Sequence, residues 1–76
     1  MTGIVVALQN EAKNVIEKTS AVEKTAKIGK KIYFGSVGNN NFVLIISGIG
    51  KVNAAFSTQY LIDNYPVDRI VNFGSV

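Results

Sequence analysis

Apolar and polar positions fall along this chain in blocks whose period changes from one block to the next. Residues 3–8, "GIVVAL", form a continuous apolar run rich in β-branched side chains, the mark of a strand covered on both faces and hence of a parallel sheet. In the "EAKNVIEK" that follows, Ala12, Val15 and Ile16 fall at helical spacing, with Asn10 placed to act as N-cap. Residues 19–27 are small and polar; the helix is expected to end within them and a solvated connector to follow. "KKIYFGSVGNNNFVLIISGIG" predicts two strands, Lys31 to Val37 and Phe42 to Ser47, joined as a hairpin through the turn-prone Gly38-Asn39-Asn40-Asn41. After Gly50, a second helix is expected to present Val52, Ala55, Phe56, Gln59 and Tyr60 on one face, widened by Leu61 and Ile62. It should stop before Pro66, because the residue preceding a proline is pushed out of helical geometry. "RIVNFGSV" predicts a last strand running into Gly74-Ser75.

The order is β-α-β-β-α-β. Right-handed crossovers put the outer strands into one mixed sheet with helices against it. A buried strand such as Ile70 to Phe73 needs cover on both faces, and two helices supply little of it. The chain therefore reads as the N-terminal portion of a larger α/β domain, or as one that pairs with another chain. An unpaired strand edge and an uncovered face predict a dimer or larger assembly.

Composition narrows the chemistry. Across 76 residues, 47% apolar and 17% charged, the balance suits one small folded unit and not a disordered one. No apolar run approaches the roughly 20 residues that span a bilayer, and the start lacks a signal peptide's basic and cleavage regions, so a cytoplasmic protein is expected. There is no cysteine and no histidine, which removes thiolate chemistry and argues against metal catalysis; no cofactor is expected. The net charge of +3 draws largely on Lys24, Lys27, Lys30 and Lys31. They lack the dense basic stripe or interleaved aromatics of a nucleic-acid surface and read as a solvated face.

In open α/β sheets ligands sit beyond the carboxyl ends of the strands. Three such ends carry unusual residues: Ala7 to Glu11, Ser47 to Gly50, and Gly74-Ser75. If those strands are parallel neighbours, the ends converge. Glu11 is the one carboxylate among them and could position or deprotonate a water, although an acid in a helix's first turn is also favoured simply by the dipole. Ser75 could donate to a sugar, an anion or a water, or serve as an ordinary turn residue. Gly48 and Gly50 suit close approach to a helix N-terminus, yet "GIG" lacks the third glycine of a dinucleotide fingerprint and the Gly-Lys-Ser/Thr of a P-loop.

Taken together, "GIVVALQNEA", the hairpin leading into "SGIGKVNAA", and "DRIVNFGSV" resemble the N-terminal third of the 5′-methylthioadenosine/S-adenosylhomocysteine nucleosidases, within the nucleoside phosphorylase superfamily. The resemblance implies a three-layer α/β/α phosphorylase-like domain and hydrolysis of an N-glycosidic bond to adenine and a thioribose. It implies that Glu11 activates the attacking water, that Ser75 lines the water and ribose region, and that Leu8 and Ile49 contact the 5′-alkylthio group. A homodimer is implied too, with the partner helping to close that pocket. Phosphorylases of this superfamily typically carry Gly-Asp-Pro and an arginine after the first strand; "ALQNEAK" has neither, which favours water over phosphate. Gln9 and Asn10 stand where family members usually have acids. Leaving-group protonation needs a second acid, so this chain alone is expected to be inactive. A truncated, self-associating binding module and a nucleoside phosphorylase are the alternatives.

Overall fold

The computed structural model describes residues 1–25 and 29–73, with backbone only at residue 25. Seven elements follow in order: β1 (Thr2–Val6), α1 (Gln9–Thr19), β2 (Val22–Thr25), β3 (Lys31–Val37), β4 (Asn40–Ile46), α2 (Lys51–Asn64) and β5 (Arg69–Phe73). The five strands form one mixed sheet in the order β2-β3-β4-β1-β5. β1 runs parallel to both β4 and β5, while β3 is antiparallel to β2 and β4. The expected mixed α/β sheet is present, with one strand more than the sequence predicts. β2 occupies part of the stretch read as a connector: Val22-Glu23-Lys24-Thr25 has little apolar signal because it is an edge strand, held by its ladder to β3 rather than by burial.

Strand alternation sorts the apolar side chains into two cores, one on each face of the sheet. Val5, Val43, Ile45 and Ile32 meet Leu61 of α2; Val6, Leu44, Phe42 and Tyr33 meet Ala12 of α1, with Val15 and Ile16 beside it. The two helices thus cover opposite faces, which gives the three layers. Each fully buried Leu, Ile or Val contributes about 1.5–3 kcal/mol of transfer free energy. Two glycines permit the approach. A Cβ on Gly3 would stand 2.8 Å from Ile70 Cδ1, and one on Gly35 would stand 2.6 Å from the Phe42 ring.

Several local readings shift. β1 stops at Val6, leaving Ala7 and Leu8 as a bend, and Leu8 rather than Asn10 is the N-cap of α1. An apolar residue can cap here because Glu11, at the third helical position, reaches back: Leu8 N–H donates to Glu11 Oε1 at 3.0 Å, and Glu11 N–H to Leu8 O at 3.1 Å. The hairpin turn shrinks to Gly38-Asn39, with Gly38 at φ 61°. α2 ends at Asn64, before extended Tyr65 and Pro66, as the proline predicts. Its packed face overlaps the expected one only in part: Leu61 is buried with Tyr60 packed beside it, and Ser57, not expected, is buried too, while Val52 is 83% and Phe56 49% exposed. Apolar residues lie nearly all round this helix, so periodicity does not select a side; small Ser57 lets the backbone sit close to the sheet. No described helix is long and apolar enough to cross a membrane.

Candidate active site

Because β4, β1 and β5 are adjacent and parallel, their carboxyl ends meet at one edge. The ladder continues past the strands: Ser47 N–H donates to Val6 O at 2.8 Å and Gly48 N–H to Ala7 O at 3.0 Å. Those two bonds lock the turn that carries Ile49 to the bend that carries Leu8.

The Ser-Gly-Ile-Gly turn is built from backbone conformations that favour glycine, with Gly48 at φ 87° and Gly50 at φ 110°. Asn53, inside the first turn of α2, donates its amide to Ile49 O at 2.8 Å. Ser47 is buried; its Oγ lies 2.8 Å from Gly48 O and 3.4 Å from Val6 O. Val5, Ala7, Ser47, Gly48, Gly50, Ala54, Asn72 and Phe73 enclose a cavity of about 10 Å³, the size of a single water.

Glu11, Leu8 and Ile49 stand at this edge outside that cavity. Glu11 is half-buried and oriented by its bond from Leu8 N–H; Leu8 is 41% and Ile49 67% exposed. The three therefore come to one edge, on two hydrogen-bonded loops. Ser75 and Gly74 lie outside the described residues, as does Lys27.

A polar brace fixes the start of α1. Lys31 Nζ donates to Gln9 Oε1 at 3.3 Å, Gln9 Nε2 to the Tyr33 hydroxyl at 3.3 Å, and the Tyr33 hydroxyl to Glu23 Oε1 at 3.2 Å. Burial, with the Glu23 carboxylate beside it, raises the Tyr33 pKa above the usual phenol value. Nearer the Ile49 turn, Lys30 Nζ donates to Ser47 O at 2.5 Å. Neither lysine is anticipated at the site by considering strand ends alone. β3 is antiparallel to β4, with Ile32 opposite Ile45, so it is the beginning of β3 that reaches the carboxyl edge. Asn53 and Tyr33 are not anticipated there either, and Gln9 only as part of the stretch after β1; for Asn53 the signal is an amide four residues after Ile49, just inside a helix.

The opposite edge carries the one ion pair among the described residues, between the Met1 ammonium and Asp68 at 3.3 Å. That ammonium holds the Asp68 carboxyl below the usual carboxylate range. Arg69, the sole arginine in the sequence, opens β5 at that far edge. No group of three His, Cys, Asp or Glu side chains among the described residues could hold a metal.

Comparison with known proteins agrees with this architecture. A 5′-methylthioadenosine/S-adenosylhomocysteine nucleosidase of Staphylococcus carnosus is 43% identical over 75 residues, which is 99% of this chain and 33% of that protein. One from Listeria monocytogenes is 38% identical over 73 residues, 96% of this chain and 31% of its own. The chain thus spans about a third of the length of these relatives. Among solved structures, the Streptococcus pneumoniae nucleosidase with a transition-state inhibitor superposes with a TM-score of 0.85 at 30% identity, over 93% of this chain and 31% of that one. The Neisseria meningitidis nucleosidase in complex with methylthio-immucillin-A gives 0.84 at 28%, over 93% and 31%. The phosphorylase superfamily profile matches residues 2–76, all but the first residue: the chain belongs to the phosphorylase superfamily.

Proposed function

We propose that this chain forms part of a single phosphorylase-like domain of a nucleosidase, one that hydrolyses the N-glycosidic bond of 5′-methylthioadenosine or S-adenosylhomocysteine. The observation that carries the reading is the Glu11 carboxylate, held by Leu8 N–H at the carboxyl edge of the parallel strands. It stands beside an Ile49 turn and away from the only arginine. A carboxylate there repels phosphate and suits a water nucleophile. In this reading Glu11 takes a proton from water as it attacks the anomeric carbon, and the C–N bond electrons leave with adenine. Leu8 and Ile49 supply apolar surface to the 5′-alkylthio group, and Ser75 lines the ribose and water region.

The departing adenine also needs a proton. Glu11 receives one from the water and is the only carboxylate at the three strand ends, and in this reading the acid comes from elsewhere in the protein. On that ground the 76-residue chain by itself should release no adenine. The exposed apolar residues Ile49, Val52 and Phe56 favour a homo-oligomer in which that surface is covered.

The test is adenine release by the gene product that carries this chain, with Glu11→Gln as variant. The amide oxygen of glutamine can still accept from Leu8 N–H, so the helix start is preserved while the base is lost. Loss of a general base should lower kcat by about 10²–10⁴. A Glu11→Gln protein as active as the wild type overturns the assignment.

A further inference from the structure

The antiparallel sense of β3 delivers two ammonium groups to the edge where the Leu8 and Ile49 loops meet. Lys30 Nζ is bound to Ser47 O, two residues from Ile49; Lys31 Nζ is bound to Gln9 Oε1, one residue from Leu8. Each bond uses one of the three donors of an ammonium. Among the described residues neither lysine pairs with a carboxylate, the one ion pair being at the opposite edge; Glu23 is bonded to the Tyr33 hydroxyl.

The two nucleosides named for the relatives share an adenosine and differ only at the 5′ sulfur. One carries a methyl group; the other carries an aminobutyrate chain that ends in a carboxylate beside an ammonium. We infer that Lys30 is a specificity-determining residue that favours 5′-thioadenosines whose 5′ substituent ends in a carboxylate, an inference that rests on the nucleosidase reading above. Lys30 suits the role better than Lys31. It is half-buried and already held by a charge-assisted bond, so less side-chain freedom is lost on binding; Lys31 is exposed. The methyl group offers nothing to a cation, so the charge acts on one substrate and not the other.

The experiment compares kcat/KM for S-adenosylhomocysteine and 5′-methylthioadenosine in the gene product that carries this chain, as wild type, Lys30→Gln and Lys30→Arg, at low and high salt. Calorimetric binding of both nucleosides runs alongside. Glutamine keeps a donor for Ser47 O and removes the charge; arginine keeps the charge. Lys30→Gln should lower the ratio of the two kcat/KM values by about three- to tenfold, the scale of one partly screened charge contact, chiefly through KM. Lys30→Arg should retain most of the ratio, and salt should reduce it in the wild type and in Lys30→Arg but not in Lys30→Gln. An equal fall for both substrates would mean that Lys30 merely props the Ser47 turn, and a ratio that does not move removes the role outright. A Lys30 effect that appears only with added phosphate would assign the ammonium to phosphate instead. If the wild type releases adenine from neither nucleoside, the nucleosidase reading itself fails; the calorimetric ratio then still decides, and equal binding to wild type and Lys30→Gln overturns the inference.

Discussion

Replacing Ser57 by alanine removes a hydroxyl that is fully buried on the packed face of α2 and has no hydrogen-bond partner among the described residues. Its desolvation is uncompensated, which costs about 1–3 kcal/mol. Alanine is also the better helix former, by about 0.5 kcal/mol in a helix interior. Against these stands the gap left by one oxygen, smaller than a methyl group and costing at most about 1 kcal/mol. The balance favours the variant by about 1 kcal/mol, or roughly 4–8 °C in Tm for a unit of this size. Urea denaturation followed by circular dichroism reads it as a raised midpoint with an unchanged slope. Leu61→Ala, one turn further along the same face, is the opposing control: it empties a site among Val5, Val43 and Ile45 and should cost about 2–5 kcal/mol. A Ser57→Ala variant destabilised by about 1 kcal/mol or more would show that the hydroxyl has a partner and that this face of α2 is packed differently.

Gly35→Ala should destabilise by about 1–3 kcal/mol in the same assay, since its Cβ would stand 2.6 Å from the buried Phe42 ring; a neutral result would mean that the ring is free to move. Because the folded Tyr33 pKa is raised, its contribution to stability is fully present below the ordinary phenol pKa and is lost as pH rises through the folded value. Urea midpoints should therefore fall more steeply above about pH 10 in the wild type than in Tyr33→Phe, and parallel curves would contradict the burial of that hydroxyl. Asn53→Ala removes the bond to Ile49 O; hydrogen exchange at Gly48 and Ile49 should speed up while β1 and β4 stay protected, and unchanged exchange would show that the turn stands without it.

What could be read from the sequence follows the strength of each local signal. Residues 3–6 and 42–46 are legible because their apolar runs are buried on both faces, and the Tyr65-Pro66 pair marks the end of α2 through sterics alone. β2 was hidden because an edge strand needs only backbone pairing, and Val22-Glu23-Lys24-Thr25 looks like a surface loop. The packed side of α2 could not be chosen where Val52, Phe56, Leu61 and Ile62 ring the helix. At the candidate site, Glu11 is legible as a carboxylate at a strand end, whereas Leu8 and Ile49 enter only through the family resemblance; that all three stand at one edge follows from the parallel β4-β1 pairing. Lys30 and Lys31 were not, since a lysine pair before a strand looks solvated until the antiparallel register places it against Ser47. The Gln9-Tyr33-Glu23 brace joins residues from three elements through side chains, and spacing along the chain carries no trace of it.

The most direct test is to incubate the gene product that carries this chain with 5′-methylthioadenosine in water enriched in oxygen-18, with and without inorganic phosphate, and to weigh the sugar product. Hydrolysis through a Glu11-activated water predicts free adenine and a thioribose carrying one heavy oxygen, at a rate indifferent to phosphate. A thioribose phosphate formed only when phosphate is present would contradict the water-activating role of Glu11 and make this superfamily member a phosphorylase.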